Sequence, residues 1–220
     1  MVIDRFSQGI GGVVAGAAVV IAVVSLIFAV FIIVIVANRA EPDPRGMRPQ
    51  SVYLFGMSFV TLQFTFAGSV LVVSALCSLV APHNSPLTNV IAREVVIGLL
   101  LMVIAGGTMA VHFRRGLETA KGDGPSGPNW RVMQSYGGVV SFIYLLEVLV
   151  ALGFGIYLVV ELIGPGVFGS IDASRSGTVA ALLELAYVLV ASGVILVLHS
   201  SVGPSAMRRK TAAQPPAATP

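Results

Sequence analysis

The sequence predicts an all-α integral membrane protein with five transmembrane helices, one amino-terminal helix followed by two similar helical hairpins. Hydrophobic residues make up 56% of the 220-residue chain and charged residues only 10%, with a mean hydropathy of +0.93. A soluble domain has about 25% charged residues. The apolar residues fall in runs of about 20 or more, each long enough to cross a hydrocarbon core of roughly 30 Å. These runs leave no room for a soluble catalytic domain.

The first predicted span lies within residues 1–38. Residues 9–37 contain no charged side chain, and this run is too long for the apolar core of a cleavable signal peptide. We therefore expect it to be retained as a transmembrane helix. Its first half is rich in small residues, which allow another helix to approach closely. These residues are Gly9, Gly11, Gly12, Ala15, Gly16, Ala17 and Ala18.

A four-helix membrane domain is predicted over residues 50–201. Its first hairpin covers residues 52–112 and its second covers residues 136–199, each with a turn rich in proline or glycine at its middle. Between the hairpins, the polar and Gly/Pro-rich residues 113–135 predict a flexible loop. The Pro/Ala-rich residues 202–220 predict a disordered cytoplasmic tail.

The distribution of Lys and Arg predicts the orientation in the membrane. The segments after the first, third and fifth predicted spans hold ten of the 13 Lys and Arg residues, and cytoplasmic segments carry the excess of positive charge. We therefore expect an amino terminus outside and a carboxyl terminus in the cytoplasm, in a bacterial inner membrane. Basic residues between spans do not indicate nucleic acid. The predicted partners are the lipid bilayer and either other membrane protein subunits or further copies of the chain.

The two predicted hairpins are similar to each other. Each begins near a tyrosine, Tyr53 or Tyr136, and each ends at a histidine, His112 or His199, on the cytoplasmic side. Because one span precedes them, both hairpins have the same orientation. This arrangement is typical of a parallel internal repeat.

Three short stretches also carry a resemblance to a known family. With Tyr53, Val111 to Arg114 and Val197 to His199 as the matching positions, residues 50–201 resemble an uncharacterised bacterial family of four-helix membrane domains (domain of unknown function 5671). This sequence has Phe113 where the family tends to have Trp. The resemblance implies a fold, with the first span as an addition, and supplies no activity.

His112 and His199 are the candidate residues for a cofactor site, since both are predicted at a similar depth. Two imidazoles from different helices can ligate a b-haem if small residues admit the ring and cations lie near its propionates. Small and basic residues close to the histidines in sequence are Gly106, Gly107, Gly193, Arg114 and Arg115. The size and topology are similar to those of the cytochrome b subunit of respiratory nitrate reductases, but that family needs four axial histidines, and the third histidine here, His83, lies in an outer turn. Alternatively, both imidazoles lie at the interface and reach the headgroups.

Glu147 and Glu184 lie inside predicted spans, where ionisable groups are costly and mark candidate functional sites. Consecutive spans pack as neighbours, so the two carboxyls could face each other across the second hairpin. One hypothesis is a proton or cation relay, with Gln63 as a further polar group on the path. The alternative is that the glutamates fix helix packing through hydrogen bonds, with Tyr144, Tyr187 or Gln63 as partners.

No catalytic residue and no metal site is predicted. The spans show no zinc-protease, phosphate-loop or nucleophile-elbow motif, and the single cysteine, Cys77, is expected to be a buried packing residue. Glu161, near an outer helix end, is expected to reach water. The predicted function is an accessory or scaffold subunit of a membrane complex, with no cofactor expected. The alternatives are electron transfer through a b-haem held by the two histidines and ion translocation through the two glutamates.

Overall fold

A computed structural model describes four stretches of the chain: residues 42–80, 88–124, 127–164 and 175–201. They form four α-helices: α1 (Arg48–Val80), α2 (Thr88–Gly122), α3 (Pro128–Ile163) and α4 (Arg175–Ser200). Each helix is long and apolar enough to cross a membrane, and the described stretches contain no strand. The predicted all-α, multi-span class is therefore confirmed. The first predicted span, within residues 1–38, and the predicted tail, residues 202–220, lie outside the described residues.

The polar segment between the hairpins is mostly helical, so the prediction of a flexible loop over residues 113–135 was wrong. α2 continues to Gly122, and α3 begins at Pro128 rather than at Tyr136. Only residues 123–127 separate the two helices. Hydropathy indicates where the chain becomes polar, but α2 and α3 both extend beyond their apolar residues.

Local chemistry explains both helix extensions. The α2 residues after the apolar run include good helix formers, and Arg114 and Glu118 form an exposed i,i+4 ion pair, 3.2 Å from Nε to Oε1. At the start of α3, Pro128 occupies the first turn, where the missing N–H would have no partner within the helix. Gly124 has a φ of +75°, which glycine adopts without strain and which reverses the chain between the helices.

The helices pack most extensively within the pairs α1–α2 and α3–α4, and α1 also contacts α3 and α4. The main buried cluster lies toward the end of the bundle that contains residues 123–127, which we term the connection end. Its largest members are Phe55, Phe59, Met133, Tyr136, Ile143 and Tyr144. Toward the opposite end, Cys77 packs against Ala180 and Val73. Cys77 is buried, as predicted.

α1 and α2 make a close backbone contact at Gly68 and Gly98. A Cβ atom added to Gly98 would lie 2.6 Å from the carbonyl oxygen of Gly68, and one added to Gly68 would lie 2.7 Å from that of Gly98. Both distances are shorter than van der Waals contact, so neither position has room for a side chain. Such approach of small residues is a common basis of helix packing in membranes.

Candidate functional site

Polar side chains of α1, α3 and α4 form a series of contacts through the core, which we term the polar column. Its residues are Tyr136 with His199, Tyr144 with Gln63, Glu147 with Ser192, and Glu184 with Ser74. Along this series the residue numbers increase on α3 and decrease on α4, because the two helices are antiparallel. The polar column therefore extends from the connection end into the opposite half of the bundle.

Glu147 of α3 is held by a serine of α4. The hydroxyl of Ser192, which is fully buried, donates to Glu147 Oε2 over 3.0 Å. Tyr144, close to one turn before Glu147, is also fully buried, and the Gln63 amide of α1 lies beside its hydroxyl. Neither that hydroxyl nor Gln63 Nε2 has a hydrogen bond of good geometry with a described residue. Burying polar groups without a partner is costly, so Tyr144 and Gln63 form an incompletely paired polar site in the core.

Glu184 of α4 is bonded to a different helix. Ser74 of α1 donates to Glu184 Oε1 over 3.0 Å. Ser192 follows Glu184 by eight residues on α4, which corresponds to about 12 Å along the helix axis. The two carboxyls are thus bonded at different levels and in different interfaces. The serine partners were not among those predicted for the glutamates.

His199 lies in an aromatic cluster at the connection end. Its Nε2 is 3.3 Å from the Tyr136 hydroxyl and its Nδ1 is 2.9 Å from the Ile195 carbonyl oxygen. The rings of Phe113 and Tyr136 lie 6.0 Å and 5.7 Å from the imidazole. Phe55 packs on the far side of this cluster, with its ring 5.2 Å from that of Tyr136. Both ring nitrogens of His199 therefore have neighbours at hydrogen-bonding distance.

His112 has a separate environment on α2. Its Nδ1 is 2.9 Å from the Thr108 carbonyl oxygen, and its ring makes an edge contact with Tyr53 at 5.8 Å. A haem between the two histidines would have to displace Phe113 and Tyr136 from the His199 imidazole. The described packing therefore does not fit a haem held by both histidines.

We expect no b-type signal in a reduced-minus-oxidised absorption spectrum of the protein purified in mild detergent from haem-replete cells. The reason is that aromatic rings fill the space beside His199. His112→Ala and His199→Ala serve as the comparison variants. A b-type band present in the natural protein and absent from both variants would contradict this expectation.

Glu161 differs from its predicted environment. It was expected to reach water near the end of its span, but its side chain lies in the bundle with only 4% of its surface exposed. That prediction was wrong, because the face of α3 that carries Glu161 turns inward. Sequence position near a helix end could not distinguish the inward face from the outward one.

A second polar cluster, missed from the sequence, joins the elements at the connection end. Asp123 Oδ1 lies 3.3 Å from Arg45 Nη1, which also donates to the Gly122 carbonyl oxygen over 2.8 Å. Asp123 Oδ2 accepts hydrogen bonds from the backbone N–H of Asn129, at 3.3 Å, and from its side-chain amide, at 2.5 Å. Asp123 thus satisfies a free N–H at the start of α3 and ties that start to the chain preceding α1. An aspartate shortly before a helix-starting proline was the signal that could have found it.

Most of the helix surface faces outward. In the most apolar 18-residue stretch of each helix, the buried share is 28% for α1, 11% for α2, 17% for α3 and 6% for α4. Lipid or other protein must therefore cover most of these side chains. Within the four described stretches, no group of three His, Cys, Asp or Glu side chains is placed to hold a metal ion.

Comparisons with known protein families, curated proteins and solved structures find no match for this chain. The resemblance of residues 50–201 to a four-helix membrane family therefore stays a prediction. Function has to be inferred from the contacts of the described residues.

Proposed function

We propose that this protein is a small multi-pass accessory or scaffold subunit of a membrane complex, with no catalytic activity of its own. The observation that carries the proposal is the bonding of the two intramembrane glutamates. Each accepts a hydrogen bond from a serine of another helix, Glu147 from Ser192 and Glu184 from Ser74. Interhelical hydrogen bonds of this kind stabilise membrane bundles. The outward apolar faces of the helices remain available for lipid and for partner subunits.

The proposal includes five spans, with residues 9–37 as the first, in the inner membrane of a bacterium. The amino terminus is outside and the carboxyl terminus is cytoplasmic. This orientation is supported by a group of basic residues that share the connection end, since cytoplasmic segments attract positive charge. The group consists of Arg45, Arg48, Arg114, Arg115, Lys121 and Arg131.

We expect Glu147→Gln to leave both assembly and stability close to those of the natural protein, because an amide oxygen can still accept from Ser192. Glu147→Leu removes the acceptor, and interhelical hydrogen bonds in membranes are worth about 0.6–2 kcal/mol, so its melting temperature in detergent should fall. Extraction in mild detergent should give assemblies heavier than one 22.8 kDa chain for the natural protein and the Gln variant. A single-chain mass for the natural protein would contradict the proposal.

Proton or cation translocation is the second candidate, because one observation favours it. Tyr144 and Gln63 are polar groups without full pairing next to Glu147, in the middle of the polar column. In proteoliposomes with an imposed pH gradient, the accessory role predicts the same proton leak for protein-free vesicles, the natural protein and Glu147→Gln. Proton flux through the natural protein that Glu147→Gln or Glu184→Gln abolishes would replace the accessory role with translocation.

A further inference from the structure

The connection end has an excess of positive charge that its own acidic residues do not neutralise. Residues 42–48 and 114–131 contain six Lys and Arg side chains but only three Asp and Glu side chains. The three acids already have partners among the described residues: Asp43 with the backbone N–H of Arg48, Glu118 with Arg114, and Asp123 with Arg45. The remaining positive charge can therefore attract an anion from outside the protein.

Arg115 lies where this charge meets the apolar surface of α2. Its side chain is exposed, and within the four described stretches it has no acidic partner. Glu118 is close to it in sequence, but Oε1 of Glu118 lies 3.2 Å from Nε of Arg114 instead. The guanidinium of Arg115 can thus present parallel N–H groups to a phosphate, for which its planar geometry is well suited.

An exposed apolar stripe of α2 leads to Arg115. Leu100, Ile104 and Val111 are all exposed, and their spacings of four and seven residues place them on one face of the helix. We term these three residues the α2 stripe. Arg115 continues the same spacing four residues after Val111, about 6 Å further along the helix axis. This face therefore changes from apolar to cationic within about one turn, as a phospholipid changes from acyl chain to headgroup.

Tyr53 of α1 provides a second polar group beside Arg115. Its side chain is 57% exposed, and its ring makes an edge contact with the His112 ring at 5.8 Å. Arg115 follows His112 by three residues on α2, so these two side chains are neighbours on the helix surface. A tyrosine has an apolar ring and a hydroxyl at its tip, a combination that is favoured at the level of lipid headgroups. Tyr53 and Arg115 thus lie on either side of His112.

We propose that Arg115, with Tyr53 beside it, binds the phosphate of an anionic phospholipid whose acyl chains lie along the α2 stripe. The ligand is an anionic lipid rather than a zwitterionic one, because basic residues close to the bilayer surface attract lipids with a net negative charge. A zwitterionic headgroup brings its own cation and leaves the positive charge of the connection end uncompensated. The inference goes beyond the accessory role and requires only that the helices cross a bilayer.

The test is lipid binding by the purified full-length protein, measured by native mass spectrometry in mild non-ionic detergent with equal amounts of phosphatidylglycerol and phosphatidylcholine. We expect the natural protein to retain phosphatidylglycerol in preference to phosphatidylcholine. Arg115→Gln should weaken this binding about fivefold, the effect of one cation at an anionic surface. Lys121→Gln is the matched control, because it removes the same charge from an exposed residue that lies about 9 Å beyond Arg115 along α2. It should leave the binding nearly unchanged.

Thermal stability distinguishes a lipid from a free anion. Phosphatidylglycerol should raise the melting temperature of the natural protein, because a ligand that binds the folded state stabilises it. Phosphatidylcholine, or inorganic phosphate alone at the same concentration, should not, since neither combines an anionic headgroup with acyl chains. Tyr53→Phe keeps the ring and should lose part of the rise, and Arg115→Lys keeps the charge and should retain part of it.

Three outcomes would overturn the inference. They are equal binding of the two lipids, equal weakening by Lys121→Gln and Arg115→Gln, and the same stabilisation by inorganic phosphate alone. Arg115 and Lys121 are both exposed, so both variants should melt like the natural protein when no lipid is added. None of these outcomes bears on the accessory role, which is judged by the mass of the assembly that the natural protein forms.

Discussion

Replacing Gly98 with leucine is expected to prevent the α1–α2 pair from forming, with loss of folded protein. The new side chain would start 2.6 Å from the Gly68 carbonyl oxygen and 2.7 Å from Val72 Cγ2. Overpacking in a core costs about 1–3 kcal/mol when side chains can move aside, but here the nearest atom belongs to a backbone fixed in a helix. The helices would have to separate along their whole contact. Size-exclusion chromatography in mild detergent should show the loss of the monodisperse peak.

Gly107→Leu is the matched control on the same helix, because an added Cβ there meets no described residue within 4 Å. It should retain the monodisperse peak. The stability of Gly98→Ala should lie between that of Gly98→Leu and that of the natural protein. Alanine adds only a Cβ atom to the contact, so the melting temperature should fall without complete loss of folded protein. Normal behaviour of Gly98→Leu would show that α1 and α2 do not approach as closely as described.

The helices of the four-helix region could be predicted from composition, but their ends could not. Long apolar runs are required by the thickness of the hydrocarbon core, so α1 begins close to the predicted residue 52 and α4 ends close to the predicted residue 199. Hydropathy gives no information about a helix that continues into water. α2 therefore extended to Gly122 through a polar segment that was interpreted as a loop, although its Arg114 to Glu118 spacing is typical of a helix.

The charged residues of the candidate site could be predicted from the sequence, but their hydrogen-bond partners could not. Glu147 and Glu184 stand out because an acidic residue in an apolar run is costly. Ser192 and Ser74 are common residues in such runs, and the register between helices decides which serine meets which glutamate. That register depends on contacts such as Gly68 with Gly98, which the sequence does not specify by pattern. The same limit hid the inward orientation of Glu161.

Asp123→Ala is expected to give the largest loss of stability among the polar substitutions at the connection end. Asp123 has only 6% of its side chain exposed and bonds the backbone and side-chain N–H groups of Asn129, which is fully buried. Removing it leaves those donors unpaired, at a cost of about 2–3 kcal/mol. The ion pair with the partly exposed Arg45 adds little to this loss of stability.

The fraction of protein that stays monodisperse after heating in detergent measures the effect of Asp123→Ala. Glu118→Ala is the matched control, since it also removes an acidic partner of an arginine within the same polar segment. Glu118 and Arg114 are both well exposed, so this loss should be within about 0.5 kcal/mol. Equal heat resistance of the two variants would mean that Asp123 contributes only a surface ion pair and that the start of α3 is fixed by apolar packing alone. A lower resistance of Asp123→Ala would establish that this carboxylate stabilises the beginning of α3 through its hydrogen bonds with Asn129.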